Sequence, residues 1–104
     1  MNGNELISFQ IISAVGTARS MYVEAIQEAK KGNIQAAKQL IEDGVKVFVD
    51  GHHAHASLIQ KEAAGEKSEF SLLLVHAEDQ LMTTETLKIV AEEFIELYSD
   101  KYHQ

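Results

Sequence analysis

Cysteine, proline and tryptophan are absent from the 104-residue chain. Without cysteine there is no disulfide framework, no zinc–thiolate centre and no thiol nucleophile. Without proline nothing interrupts a helix from within, so long continuous helices are permitted. Positive charge is scarce: 9 lysines and arginines against 16 aspartates and glutamates leave a net charge of −7. Such a chain lacks the basic face with which a nucleic-acid binder displaces counterions from phosphate. No run of about 18 apolar residues is present to span a bilayer. The opening Met1-Asn2-Gly3-Asn4-Glu5 also lacks the basic start of a secretory signal. One cytoplasmic domain over residues 1–104 is the expectation.

What is present is helical. Lys30 and Lys31 precede Gly32-Asn33, the sign of a helix stop followed by a new N-cap. Gly65-Glu66-Lys67-Ser68 repeats that logic, with Ser68 as the N-cap and Glu69 favourable to the next helix dipole. The spacing predicts three helices over 4–31, 34–64 and 69–102, joined by short turns into an antiparallel up-down-up bundle. Apolar stripes agree. Helix 1 carries Ile7, Ile11, Ala14, Ala18, Tyr22, Ala25 and Ala29; helix 2 carries Leu40, Ile41, Val45, Phe48, Val49, Ala56, Ile59 and Ala63. Helix 3 carries Phe70, Leu74, Ala77, Leu81, Thr84, Ala91, Ile95 and Tyr98. Gly16, Gly44 and Gly51 fall inside helices at a cost of about 1 kcal/mol each against alanine. Close helix approach accounts for Gly16; Gly44 and Gly51 have no further account in the sequence.

Helix 3 has more apolar surface than one bundle can cover. A second stripe holds Leu72, Val75, Met82, Thr86 and Ile89. A stripe of that length marks an interface between copies of the chain, unless helix 3 is more deeply buried within one chain. Asp79 falls in its middle, where a carboxylate is costly unless paired, hydrated at a rim or bound to a cation. A rotation axis along the stripe would bring each copy's Asp79 to one point, and a cation or shared protons would have to compensate. His76, three residues earlier, points to the seam between the two stripes. It reads either as a packing residue or as a neutral, nucleophilic imidazole open to a partner.

The string His76-Ala77-Glu78-Asp79-Gln80-Leu81-Met82, preceded by Leu72-Leu73-Leu74-Val75, resembles the enzyme IIA component of the lactose/cellobiose (N,N′-diacetylchitobiose) branch of the bacterial sugar phosphotransferase system. So do Phe9-Gln10-Ile11-Ile12-Ser13, Gly16-Thr17-Ala18-Arg19-Ser20, Leu58 to Gly65, and Glu93-Phe94-Ile95-Glu96-Leu97-Tyr98, in order along the chain. The resemblance implies a homotrimer of three-helix subunits, a nine-helix bundle. It implies His76 as the phosphorylated residue and Asp79 on the three-fold axis with Mg2+ or another divalent cation. It implies HPr as phosphoryl donor, a cysteine of the IIB component as acceptor, and the IIC membrane permease as the indirect partner in uptake of a β-linked disaccharide. The chain departs from the pattern in places. Glu78 stands where glutamine is common and Gln80 where a second histidine is common. On helix 2, Gly51 stands where alanine is common and His55-Ala56 where glutamine-threonine is common.

Two other readings compete. A two-component histidine phosphotransfer domain typically carries lysine-glycine after its histidine; Ala77-Glu78 stands here. A non-catalytic regulatory or oligomerisation module would keep the fold and lose the transfer. Arg19, the only arginine, reads as a phosphate or partner contact or as an intersubunit ion pair. His52 and His55 share a helix face, but two imidazoles without a further ligand make a weak metal site. Which sugar is carried is not written in residues that meet only proteins.

Overall fold

The computed structural model describes residues 3–67 and 70–103. It is all-α: α1 (Gly3–Lys30), α2 (Ile34–Ala63) and α3 (Leu72–Lys101) form an elongated bundle of 53 × 23 × 19 Å. α1 is the spine. It packs against both other helices along their length, whereas α2 and α3 meet far less.

Both turns close in the same way. The Asn33 N–H reaches the Glu28 carbonyl and the Gly32 N–H the Ala29 carbonyl; Glu66 to Lys61 and Gly65 to Glu62 repeat the pattern. This double bond beyond a helix end needs a left-handed residue, which Gly32 (φ 86°) and Gly65 (φ 88°) supply. The ring of Tyr102 covers Gly32, and its hydroxyl donates to the Lys30 carbonyl at 2.9 Å. Asn33 does not cap α2 with its side chain; its amide donates to Glu28 Oε2 at 2.7 Å instead.

The start of α3 differs from the sequence reading. Ser68 and Glu69 lie outside the described residues, and the N-cap is Ser71, whose Oγ accepts from the Leu74 N–H at 3.1 Å. Phe70, placed on the core stripe by spacing, precedes the helix and is 92% exposed.

The core divides into two clusters. Around His76's level Ile11 and Val15 of α1 meet Leu58, Leu74, Ala77 and Leu81; further along, Ala18, Tyr22, Ala25 and Ala29 meet Ile34, Ala37, Ile41, Ala91 and Ile95. The buried face of α2 is only in part the one its large apolar residues suggested: Ile41 is buried and Leu40, Val45 and Phe48 pack against the core. It runs through Ile34, Ala37, Ile41, Gly44, Gly51 and Leu58, while Val49 and Ile59 are exposed. The two glycines are the reason. A β-carbon on Gly44 would stand 2.6 Å from Cε1 of Tyr22, and one on Gly51 would stand 3.0 Å from Cγ1 of Val15. Gly16, by contrast, has nothing within 4 Å of such a carbon, so close approach within the chain does not explain it.

Candidate functional site

α3 carries the candidate residues because its inward face is narrow. Leu74, Ala77, Leu81, Thr84, Ala91 and Ile95 are buried at helical spacing, leaving the rest of the circumference free. Opposite them the second stripe stays uncovered. Leu72 is 85% exposed and Ile89 62%, with Val75 and Met82 half-exposed between them. Deeper burial of α3 within one chain is therefore not what happens. The steps Leu72, Val75, Asp79, Met82, Thr86, Ile89 alternate three and four residues, the a/d spacing of helices that associate along a seam. Thr86 in the stripe and Thr83 beside it satisfy their hydroxyls within the helix: Thr83 Oγ1 donates to the Asp79 carbonyl at 2.9 Å and Thr86 Oγ1 to that of Met82 at 3.3 Å. That leaves the Asp79 carboxylate as the polar group facing outward in mid-stripe, and it is exposed.

His76 is exposed on the second turn of α3 and, among the described residues, makes no hydrogen bond or ion pair within the chain. Ala77, fully buried beside it, pins the backbone of that turn to α1. The imidazole thus projects from a fixed base, accessible to another protein.

Glu78 takes the other flank of the same turn. Its Oε1 lies 3.1 Å from Nε2 of His55 on α2. An ionised carboxylate only accepts, so the ring nitrogen donates. Two residues singled out separately in the sequence, His55 on α2 and Glu78 on α3, thus meet in one bond. Helical wheels treat each helix alone and could not pair them. Beside this bond a groove of about 380 Å³ opens between the end of α2 and the start of α3, lined by Leu58, Ile59, Glu62, Phe70, Val75 and Glu78 among others.

The remaining sequence candidates do not join the site. His52 and His53 are exposed on α2, away from His76 and Asp79 on α3. Among the described residues no three histidine, aspartate or glutamate side chains of one chain converge as metal ligands, and His55 is engaged by Glu78. Arg19 is exposed and forms no ion pair within the chain among the described residues. Sequence reasoning also missed two buried hydroxyls that, among the described residues, have no partner, Tyr22 Oη and Thr84 Oγ1. Burial, with a smaller contribution from the Glu92 charge, pushes the Tyr22 phenol above its usual range. No helix of the described residues is long and apolar enough to cross a membrane.

A three-helix chain whose third helix holds an unpartnered histidine beside an uncovered apolar seam has the makings of a protein that hands a group to other proteins. The family model for the lactose/cellobiose-specific IIA subunit of the phosphotransferase system matches residues 6–99. The chain belongs to that family of sugar-specific phosphocarriers, components of a sugar-transporting phosphotransferase system. It is 47% identical over 94 residues to the lichenan-specific phosphotransferase enzyme IIA component of Bacillus subtilis (strain 168), covering 90% of this chain and 86% of that one. It is 41% identical over 100 residues to the lactose-specific EIIA component of Streptococcus mutans, covering 94% and 96%. The crystal structure of the cellobiose-specific enzyme IIA from Bacillus anthracis superposes with a TM-score of 0.96 at 42% identity, covering 100% of this chain and 95% of that chain.

Proposed function

We propose that the chain relays a phosphoryl group from HPr to the IIB component during uptake of a β-linked disaccharide, with His76 as the carrier residue. The observation that carries this reading is the His76 imidazole itself. It stands exposed and unpartnered on a turn fixed by buried Ala77, beside an apolar seam. In the tautomer with hydrogen on Nδ1, Nε2 holds a free lone pair. That lone pair forms an N–P bond as the N–P bond of the HPr phosphohistidine breaks, and the donor ring leaves as neutral imidazole. A thiolate of IIB then forms an S–P bond as the Nε2–P bond breaks, and IIC couples the product to the sugar. A loose transition state of this kind asks mainly for in-line positioning and charge stabilisation. A rigid helical turn supplies the first.

Three copies closing on the α3 stripe would bury Leu72, Val75, Met82 and Ile89 and bring three Asp79 carboxylates together. One chain offers a single carboxylate there, so the residues fit a cation only in the assembled form. Three carboxylate oxygens suit a hard divalent cation such as Mg2+, which would supply charge neutralisation at the seam. The working compartment is the cytoplasm, where HPr and the cytoplasmic face of IIC meet.

Incubation with phosphoenolpyruvate, enzyme I and HPr tests the relay. The expected result is one phosphoryl group per chain, lost in His76→Ala, with nitrogen-15 NMR locating it on Nε2. A wild-type chain that takes no phosphate would leave a helical oligomerisation module instead, and a signal on Nδ1 alone would displace the assignment to Nε2.

A further inference from the structure

His76 and Glu78 flank Ala77, and at about 100° per residue they leave α3 on opposite sides. The bond to His55 identifies the Glu78 side as the one facing α2. In the frame of the outward stripe, with Val75 and Asp79 at its seam, His76 holds the e position and Glu78 the g position. Parallel helices that associate along such a seam set the g flank of one chain against the e flank of the next. The trimer proposed above therefore turns the Glu78 flank of one chain toward the partner subunit's His76, at similar height along the axis. A bare carboxylate on that flank would oppose an anionic phosphoryl group.

Glu78 is not bare. His55, with 22% of its side chain exposed, holds it at 3.1 Å. We propose that His55 is a positioning residue of the phosphoryl site: its Nε2–H holds the Glu78 carboxylate against α2, so that the flank facing the partner subunit's His76 accepts an anion. This rests on His76 being the carrier. Other charged groups lining the neighbouring groove are Glu62, Glu66 and Lys67, and a single lysine among them does not replace the imidazole.

Four variants of the full chain, phosphorylated by phospho-HPr and followed by intact mass, test the role. His55→Leu slows phosphorylation of His76 by roughly five- to tenfold. Glu78→Gln is at least as fast as wild type. The double variant returns to the wild-type rate, although it lacks the α2–α3 bond just as His55→Leu does; a merely structural bond would leave it slow. His55→Lys, which places another N–H donor opposite Glu78, also keeps the rate. Mixing decides whether the effect crosses between chains: His55→Leu chains co-assembled with His76→Ala chains regain speed, because their His76 then faces a native His55. Circular dichroism confirms that each variant keeps its helices. A His55→Leu chain as fast as wild type, a slow double variant, or no recovery on mixing overturns the role of His55. A wild-type chain that is not phosphorylated at all overturns the reading of His76 as the carrier.

Discussion

Gly44 of α2 lies beneath the buried ring of Tyr22 of α1, so close that a β-carbon would stand 2.6 Å from Cε1. The ring is 1% exposed and belongs to the cluster with Ala18, Ala25 and Ile41, so it can move only by disturbing that packing.

Gly44→Ala is therefore expected to destabilise the protein by about 1–2 kcal/mol: overpacking costs about 1–3 kcal/mol, and the helix-propensity gain returns part of it. Gly16→Ala meets nothing within the chain and should be neutral or stabilising by up to about 1 kcal/mol. Thermal unfolding at matched protein concentration measures both. A destabilised Gly16 variant would instead point to a neighbouring copy packed on that turn of α1.

The Tyr22 hydroxyl is buried without a partner and its phenol titrates above the usual range. The folded state thus holds the proton where the unfolded chain releases it. Stability conferred by the neutral phenol is present below the unfolded value of about 10 and is lost as pH rises beyond it. Tyr22→Phe should leave neutral-pH stability unchanged or slightly raised, because no hydrogen bond is forfeited, and should flatten the alkaline loss. Denaturant unfolding between pH 8 and 11 provides the comparison; an unchanged alkaline slope would assign it to other groups.

Ile89 is 62% exposed in one chain and sits on the proposed seam. Ile89→Lys places a charge where each copy would contribute one, and sedimentation should then show monomers with helices retained. An oligomer unaffected by this change would move the interface off α3.

Asp79→Leu replaces the carboxylate at the centre of the same stripe by an apolar side chain. A buried carboxylate cluster costs free energy that the substitution removes. The variant should assemble more tightly than wild type and lose any dependence of assembly on Mg2+. Dissociation midpoints with and without a chelator read this out, and equal Mg2+ dependence in both proteins would place the cation elsewhere.

The helices were legible in the sequence because their stops are chemical: glycine at φ near 87° after lysine fits the backbone left-handed turn that closes α1, and again α2. The outward stripe of α3 and His76 beside it were legible too, since spacing on one helix fixes which residues share a face. The face of α2 was legible only in part, through Ile41, Leu40, Val45 and Phe48. Its identity depends on Tyr22 and Val15 filling the space over Gly44 and Gly51, and a glycine adds nothing to a hydrophobic count. The His55–Glu78 bond was hidden for a related reason: its members are 23 residues apart on helices whose rotation only the packed bundle defines. Ser71, rather than Ser68, starts α3 because its extended backbone (φ −141°, ψ 154°) lets its hydroxyl turn back onto Leu74, a distinction that composition does not draw.

With α1 touching both neighbours and α2 and α3 barely sharing a wall, the architecture behaves like a hinge-less book whose two covers are glued only to its back. Cutting the backbone between Gly65 and Glu66 should leave both covers in place. The wall between the covers then rests on little more than the His55–Glu78 bond and its neighbours, while Ala77 still ties the turn that bears His76 to the back.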